Sequence, residues 1–142
     1  MKDFLSPPLK EYRKYHKIKF PNGEFKNTEL TYGTYGIKSM ENKILSAKSL
    51  ETFRKSISKL FKKKAFIFIP VFPDIPVTKK PLEVRMGKGK GNVAYWAAKV
   101  GEGQIISEIN FYGKINHEFA KSALLECGKK LPLKFKILSL KI

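Results

Sequence analysis

The sequence holds few of the residues that build disulfides, metal sites or membrane spans. Its 142 residues include one cysteine, Cys127, and two histidines, His16 and His117, which stand far apart in the chain. A single cysteine cannot form an intramolecular disulfide, and no HExxH or CxxC motif is present. No apolar run approaches the roughly 18 residues that a membrane-spanning helix needs. The sequence therefore predicts no metal site and no membrane span, and it assigns Cys127 to a buried helix position.

Catalytic motifs are also missing, and the one glycine-rich segment lacks the spacing of a nucleotide site. Residues 87–92 have the sequence Gly-Lys-Gly-Lys-Gly-Asn. A P-loop requires two glycines separated by four residues and followed by Lys and Ser or Thr, and a dinucleotide-binding turn requires GxGxxG before a helix. Asp74 lies in a proline-rich turn and Glu108 has no evident acidic partner, so no general acid/base pair can be assembled. The sequence predicts a protein without catalytic residues or a cofactor.

Acidic residues and arginines are scarce as well. The chain has 12 Asp and Glu against 29 Lys and Arg, a formal net charge of +17, and its three arginines are Arg13, Arg54 and Arg85. So much charge of one sign opposes the compact state by self-repulsion, and a bound polyphosphate would relieve it. We therefore predict a nucleic-acid partner, the alternative being a solvated, highly charged surface. Because arginine suits planar, bidentate contacts, the three arginines are candidates for contacts to phosphate or bases.

The hydrophobic pattern predicts an α+β fold, which is a mostly antiparallel sheet structure with two helices. Hydrophobic residues make up 42% of the chain, enough for a folded core. A first helix is predicted from Leu45-Ser46 to Lys63, with Ser46 as its N-cap, and a second from Asn116 to Lys130. The apolar face of the first helix consists of Leu50, Phe53, Ile57 and Leu60. Residues predicted to lie in the core are Phe66, Ile67, Phe68, Trp96, Phe119, Leu124 and Phe135.

Five segments are predicted to be strands because they alternate or are continuously apolar between turn residues. They are residues 28–38, 65–71, 93–100, 104–112 and 133–140. Gly33 and Gly36 in the first segment indicate a bulge or a close approach of another backbone. The turn Gly101-Glu102-Gly103 predicts that the third and fourth segments form a hairpin.

The basic residues are concentrated in three segments, which are the N-terminal residues, the first predicted helix and the glycine-rich loop. We expect an extended basic N-terminal arm over residues 1–26, followed by a single α+β domain over residues 27–142 with a protruding loop at 78–92. The glycines of the loop permit close approach to another surface, and the lysines between them add charge. The candidate RNA-binding residues in these segments are Lys10, Arg13, Lys14, His16, Lys17, Arg54, Lys55, Lys59, Lys62, Arg85, Met86, Gly87, Lys88, Gly89, Lys90, Gly91 and Asn92.

The loop and its flanks also carry a resemblance to a known family. Residues 69–92 have the sequence IPVFPDIPVTKKPLEVRMGKGKGN, and Tyr95-Trp96 follows. This run strongly resembles the bacterial-type large-subunit ribosomal protein L-sixteen family, which has VFPDxP[IV]TxKP, then VRMGKGKGN and then YW. The segments YRKYHK at 12–17 and TYGTYGIK at 31–38 are similar to the family's FRKMHK and SFGSFGLK.

The resemblance implies a structural constituent of the large ribosomal subunit. Such a protein binds large-subunit rRNA near the aminoacyl-tRNA site and the peptidyl-transferase region and helps tRNA accommodation. The implied partners are large-subunit rRNA, aminoacyl-site tRNA and neighbouring large-subunit ribosomal proteins. The resemblance matches Arg85 to the family's loop arginine, and Arg13, Lys14, His16 and Lys17 to its arm. The proteobacterial-like motif, a composition typical of an AT-rich gene and the missing transit peptide together favour the mitochondrial matrix ribosome, with the cytoplasm of an AT-rich bacterium as the alternative.

Two other classes of function stay open at the level of sequence. One is a free regulatory protein that binds single-stranded RNA through the aromatic and basic residues of the arm. The other is a nucleotide-dependent enzyme with a degenerate phosphate loop. A ribosomal protein should co-purify with rRNA stoichiometrically, a regulator with diverse short RNAs, and an enzyme should bind free nucleotide.

Overall fold

The computed structural model of the chain describes residues 6–8, 11–16, 19–20, 27–62, 64–113 and 115–140. In chain order its elements are β1 (Tyr35–Ser39), β2 (Lys43–Ser46), α1 (Ala47–Leu60), β3 (Ala65–Phe68), β4 (Ile75–Lys79), β5 (Asn92–Val100), β6 (Ile105–Phe111), α2 (His117–Gly128) and β7 (Phe135–Ser139). One sheet has the strand order β3-β6-β1-β7, and the other has the order β2-β5-β4. All strand pairs are antiparallel. The predicted α+β class is confirmed.

Both helices begin where the sequence predicts. The Ser49 backbone N–H donates to the Ser46 hydroxyl at 3.1 Å, and the Glu118 N–H donates to the Asn116 side-chain oxygen at 3.0 Å. Each capping oxygen satisfies one of the N–H groups that a helix leaves without an internal partner. Helix α1 buries Leu50, Phe53 and Ile57 on its apolar face, together with Ser56. Leu60, which was predicted to lie on the same face, is 41% exposed. The prediction for Leu60 is wrong because the helix ends there, and the residue after it, Phe61, enters the core instead.

The predicted hairpin of β5 and β6 is wrong, because the two strands belong to different sheets. The turn between them bonds to the end of β1. The Gly103 N–H donates to the Ser39 carbonyl at 2.9 Å, and the Ser39 N–H donates to the Gln104 carbonyl at 2.9 Å. Gly103 has a φ of 80°, a left-handed conformation that glycine adopts without strain. The glycine-rich turn therefore carries the chain from one sheet to the other.

The segment predicted as a strand at 28–38 is a strand only from Tyr35. Upstream of it the chain crosses over β6, where one oxygen of the buried Glu108 carboxylate accepts hydrogen bonds from three consecutive N–H groups. These belong to Thr31 at 3.0 Å, Tyr32 at 2.6 Å and Gly33 at 2.9 Å. A Cβ atom on Gly33 would lie 2.7 Å from the Ile109 backbone nitrogen, so the predicted close approach is confirmed. Glu108 is thus a structural carboxylate that fixes this crossing.

Helices and sheets enclose one apolar core. Buried side chains from α1, β1, β6 and α2 meet there, and Cys127 lies among them with its thiol pKa raised by burial. Of the predicted core residues, Leu124 is buried, and Ile67 and Phe135 are partly buried and pack against the core.

The other core predictions are wrong in part or in whole. Phe66 is 47% exposed and Phe119 is 55% exposed. Phe68 and Trp96 are only partly buried. Strand β3 is an edge strand, and the alternation along it directs Phe66 and Phe68 away from the core. Hydrophobicity alone did not reveal which face of this apolar strand is covered.

Strands β2 and β4 were missed. Both are short and flank β5 in the smaller sheet. Strand β2 runs directly into α1, and β4 contains Pro76, which is confined to an edge in a sheet. Their position places the two ends of the 80–91 loop, between β4 and β5, on neighbouring strands.

Candidate RNA interface

The Gly/Lys loop between β4 and β5 is exposed along its whole outer part, residues 81–90. Its base is a tight antiparallel pair in which Lys79 faces Asn92. A Cβ atom on Gly91 would lie 2.6 Å from the Lys79 carbonyl oxygen and 2.7 Å from its carbon. Only glycine allows the two backbones to come this close. Gly91 therefore allows the base of the loop to close, and its predicted approach to RNA stays a prediction.

The tip of the loop has a left-handed backbone. Gly87, Lys88 and Gly89 have φ values of 104°, 56° and 80°. A Cβ atom on either glycine would meet nothing within 4 Å, so glycine is needed there for the backbone conformation and not for space. The Lys80 ammonium donates to the Gly87 carbonyl across the loop. These features give the loop a compact, solvent-exposed tip with free space around both glycines.

The side chains of the loop are available to a partner. Arg85, Lys88 and Lys90 are exposed, and Met86 is 98% exposed. Arg85 has no hydrogen bond or ion pair with any residue that the structure describes. An exposed arginine without an internal partner keeps its full set of donors for an external anion.

The N-terminal arm lies against the loop. Lys14 donates from its ammonium to the Lys90 carbonyl at 3.1 Å, and Lys90 donates from its own ammonium to the Tyr15 carbonyl. Farther along, the Lys99 ammonium of β5 donates to the Lys19 carbonyl and lies 5.0 Å from the centre of the Phe20 ring. These contacts bring the arm, the loop and β5 together. Sequence reasoning missed Lys99 and Lys80, and the reciprocal donation by lysines to carbonyls has no local sequence signal.

The remaining arm candidates divide into two groups. Arg13 and His16 are exposed. Lys10 and Lys17 lie outside the described residues. The combined arm and loop carry like charges at close range, which raises the electrostatic potential there and attracts a polyanion.

Helix α1 carries its basic residues on two sides. Lys48, Lys55 and Lys59 are exposed and recur at helical spacing, so they lie along the side away from the core. Lys62 follows the helix with a φ of 47° and is also exposed. Arg54 lies about 100° around the helix from Lys55. The exposed stripe therefore consists of lysines, and Arg54 stands beside it.

Arg54 is engaged within the helix. Its Nε donates to Glu51 Oε2 at 2.9 Å and its Nη2 donates to Glu51 Oε1 at 2.8 Å, while the Lys55 ammonium lies 3.5 Å from the same carboxylate. The hydrogen bond from Arg54 lowers the pKa of Glu51, and the same bond raises the pKa of Arg54. The spacing of three residues between Glu51 and Arg54 was the signal that sequence reasoning overlooked. Part of the donor set of Arg54 is therefore already used.

Neither a metal-binding cluster nor a membrane-spanning helix is found in the described part of the chain. It contains no group of three or more His, Cys, Asp or Glu side chains that could hold a metal ion. Its helices are too short and too polar to cross a membrane. The chemistry that these residues present is a set of exposed cations on a glycine-shaped loop, an arm bound to it and a lysine-lined helix.

The chain also matches known proteins over nearly its whole length. The family model described as Ribosomal protein L16p/L10e matches residues 7–138. The chain is 43% identical over 132 residues to the large ribosomal subunit protein uL16 of Christiangramia forsetii, with 93% of each chain covered. It is 41% identical over 130 residues to the protein of that name from Bartonella quintana, with 92% of this chain and 93% of the relative covered. The chain therefore belongs to the Ribosomal protein L16p/L10e family.

Proposed function

We propose that the protein is a structural constituent of the large ribosomal subunit. In this role it binds large-subunit rRNA near the aminoacyl-tRNA site and the peptidyl-transferase region, and it helps tRNA accommodation. Its family is one of ribosomal proteins, so the protein is structural and not an enzyme. The partners are large-subunit rRNA, aminoacyl-site tRNA and neighbouring ribosomal proteins.

The observation that carries the proposal is the joined arm and loop. The tip is exposed and left-handed at Gly87, Lys88 and Gly89, and Arg85 beside it is exposed. The arm bonds to the same loop through Lys14. A narrow, cationic, backbone-rich projection suits entry between RNA segments, where phosphates are close together and side-chain bulk is excluded. In our proposal residues 1–26 act as the arm, and the domain of residues 27–142 presents the loop at 78–92.

The RNA contacts proposed for the helix are electrostatic. The lysine stripe of α1 faces away from the core, and its charges are not neutralised by an acidic side chain other than Glu51 within that helix. Contacts of this kind position a protein on RNA without reading its sequence. We place the ribosome in the mitochondrial matrix, with the bacterial cytoplasm as the alternative, which the bacterial relatives fit equally well.

The decisive experiment is to assemble large subunits with Arg85→Ala protein and with the parent. Arg85 is an exposed loop residue, so its removal should change the free energy of unfolding by no more than about 0.5 kcal/mol. We expect normal incorporation and slower dipeptide formation or tRNA accommodation. Lys43→Ala, which removes an exposed cation of β2 opposite Val100, at the end of β5 farther from the loop, is the matched control.

Three outcomes separate the candidate functions. Normal incorporation with normal rates for Arg85→Ala would refute a role of the loop beside the reacting tRNAs. Lost incorporation alone would make the loop an assembly element. Co-purification with diverse short RNAs, without stoichiometric rRNA, would refute the ribosomal role and favour a free RNA-binding regulator.

A further inference from the structure

The outer face of the larger sheet, on the side away from the core, carries aromatic residues that neither the loop nor the arm uses. In the β3–β6 pair, Ile67 faces Ile109, and both belong to or pack against the core. Residues directly opposite each other on an antiparallel pair share one face, and neighbours along the strand point the other way. Phe66 and its partner Asn110 therefore lie on the outer face.

The outer face continues beyond the strand ends in both directions. The Tyr112 N–H donates to the Lys64 carbonyl at 3.0 Å, which extends the ladder by one step and adds these two residues to the same face. At the other end Phe68 meets the ring of Tyr32, with centroids 5.1 Å apart and planes at 69°. Tyr32, Phe66, Phe68 and Tyr112 with Lys64 and Asn110 form what we call the aromatic ledge.

The rings of the ledge are open to a partner. Tyr112 is 66% exposed, Tyr32 is 64% exposed and Phe66 is 47% exposed. Phe66 does not pack against the core, because its neighbour Ile67 occupies the inner face of the strand. Single exposed aromatics are common, but Phe66 and Phe68 on β3, Tyr112 beside them and Tyr32 packed on Phe68 together form a patch.

The polar residues of the ledge decide which partner fits. Lys64 and Asn110 are exposed among the rings, and Lys62 is exposed two residues before Lys64. The one acidic side chain on β3 and β6 is Glu108, which is buried and bound by the N–H groups of residues 31–33. The patch is thus aromatic and cationic with an amide between the rings. Bases stack on aromatic rings, phosphates pair with lysine, and an amide can bond a base edge.

We propose that the aromatic ledge binds unpaired RNA nucleotides, with bases stacked on Phe66 and Tyr112 and a phosphate at Lys64. The ledge is separate from the arm and the loop, and the proposal rests only on RNA being the partner of the protein. It differs from their contacts in kind, because its affinity depends on bases and not on phosphates alone.

The test measures binding of the full chain to two single-stranded probes of about twelve nucleotides, a length within the range that single-strand binding sites span. One probe is oligouridylate, and the other is an abasic oligoribonucleotide of equal length and charge. The variants are Phe66→Ala, Tyr112→Ala and the control Phe119→Ala. Phe119 is 55% exposed but lies on α2, outside the ledge, the arm and the loop.

Each ledge variant should weaken oligouridylate binding by about 5- to 150-fold, the fold-change for loss of one stacked base, and leave binding of the abasic probe unchanged. Phe119→Ala should leave both affinities unchanged. Phe66→Tyr should retain the affinity for oligouridylate, whereas Phe66→Leu, which keeps an apolar side chain without a π-face, should lose it. Thermal unfolding of each variant identifies any that do not fold, and Tyr112→Ala, at the more exposed position, tests the ledge independently.

Two results would overturn the proposal. If the ledge variants bind oligouridylate as tightly as the parent, bases do not stack there, and a loss of subunit assembly in the same variants would assign the ledge to an apolar protein neighbour. If a ledge variant binds both probes more weakly by the same factor, the substitution affects phosphate binding and not stacking. Salt-dependent binding of the abasic probe by every variant would still support the electrostatic arm and loop, so failure of the ledge is distinguishable from failure of the proposed function.

Discussion

Replacement of Gly91 by alanine should open the base of the loop, and this prediction separates two roles that glycine has within five residues. At Gly91 a methyl group would lie 2.6 Å from the Lys79 carbonyl oxygen and 2.9 Å from the Lys80 nitrogen. Both are backbone atoms next to the Lys79–Asn92 pair that ends the ladder, so they can move only if that pair opens. At Gly89 the same methyl group would meet nothing within 4 Å, and the φ of 80° is the only obstacle.

The magnitudes follow from these geometries. Forcing a methyl group into a closely packed position costs about 1–3 kcal/mol, from which the reduced freedom of the unfolded chain subtracts about 0.4–1 kcal/mol. We expect Gly91→Ala to lower the free energy of unfolding by about 0.5–2 kcal/mol. Gly89→Ala should lower the free energy of unfolding by about 1–2 kcal/mol, because alanine is strained in a left-handed conformation. This strain stays at the exposed tip of the loop.

The assay is amide hydrogen exchange of the loop base together with urea unfolding. Gly91→Ala should speed the exchange of the amides of Lys79 and Asn92, because relief of the clash requires local opening. Gly89→Ala, the matched control, should leave these two amides as protected as in the parent. Unchanged protection in Gly91→Ala, with an unchanged urea midpoint, would refute the close approach of the two backbones as the reason for glycine at this position.

Three further predictions concern the helix, the core and the pH dependence of stability. Changing Lys48, Lys55 and Lys59 together to Gln should flatten the slope of log K against log[salt] for rRNA binding by ~0.7 to 0.9 per lost contact, and an unchanged slope would exclude this stripe as an RNA contact. Leu124→Ala should lower the free energy of unfolding by about 2–5 kcal/mol, measured by urea unfolding, because Leu124 is fully buried in the core. Arg54 holds the pKa of Glu51 below its usual 4.5, so this pair stabilises the folded state above about pH 4.5 and loses its effect as the pH falls through the lowered value. Glu51→Gln should abolish this loss of stability at acid pH, which is only about 0.3–0.5 kcal/mol because the pair is exposed. Acid unfolding curves that coincide for variant and parent would contradict the prediction.

Part of the candidate interface was predictable because it depends on composition and local spacing. The charge excess, the glycine and lysine alternation and the arm motif are properties of short stretches, and they indicated the loop, the arm and the first helix. The role of each residue within them was not predictable. The pairing of Arg54 with Glu51 depends on side-chain geometry, and the bonds that Lys14 and Lys90 donate join residues that are 76 and 75 positions apart.

The sequence by itself determined the features that arise within a few residues. Ser46 and Asn116 cap the two helices because a side-chain oxygen reaches an N–H group two or three residues ahead. Only the tertiary structure decided the rest. The turn at residues 101–103 has the glycines of a hairpin, yet it changes sheet because its backbone groups find Ser39, more than sixty positions earlier. The same dependence explains why Phe66 is exposed while Ile67 is covered, and why Gly91 and Gly89 differ: the neighbours that decide burial and space come from other parts of the chain.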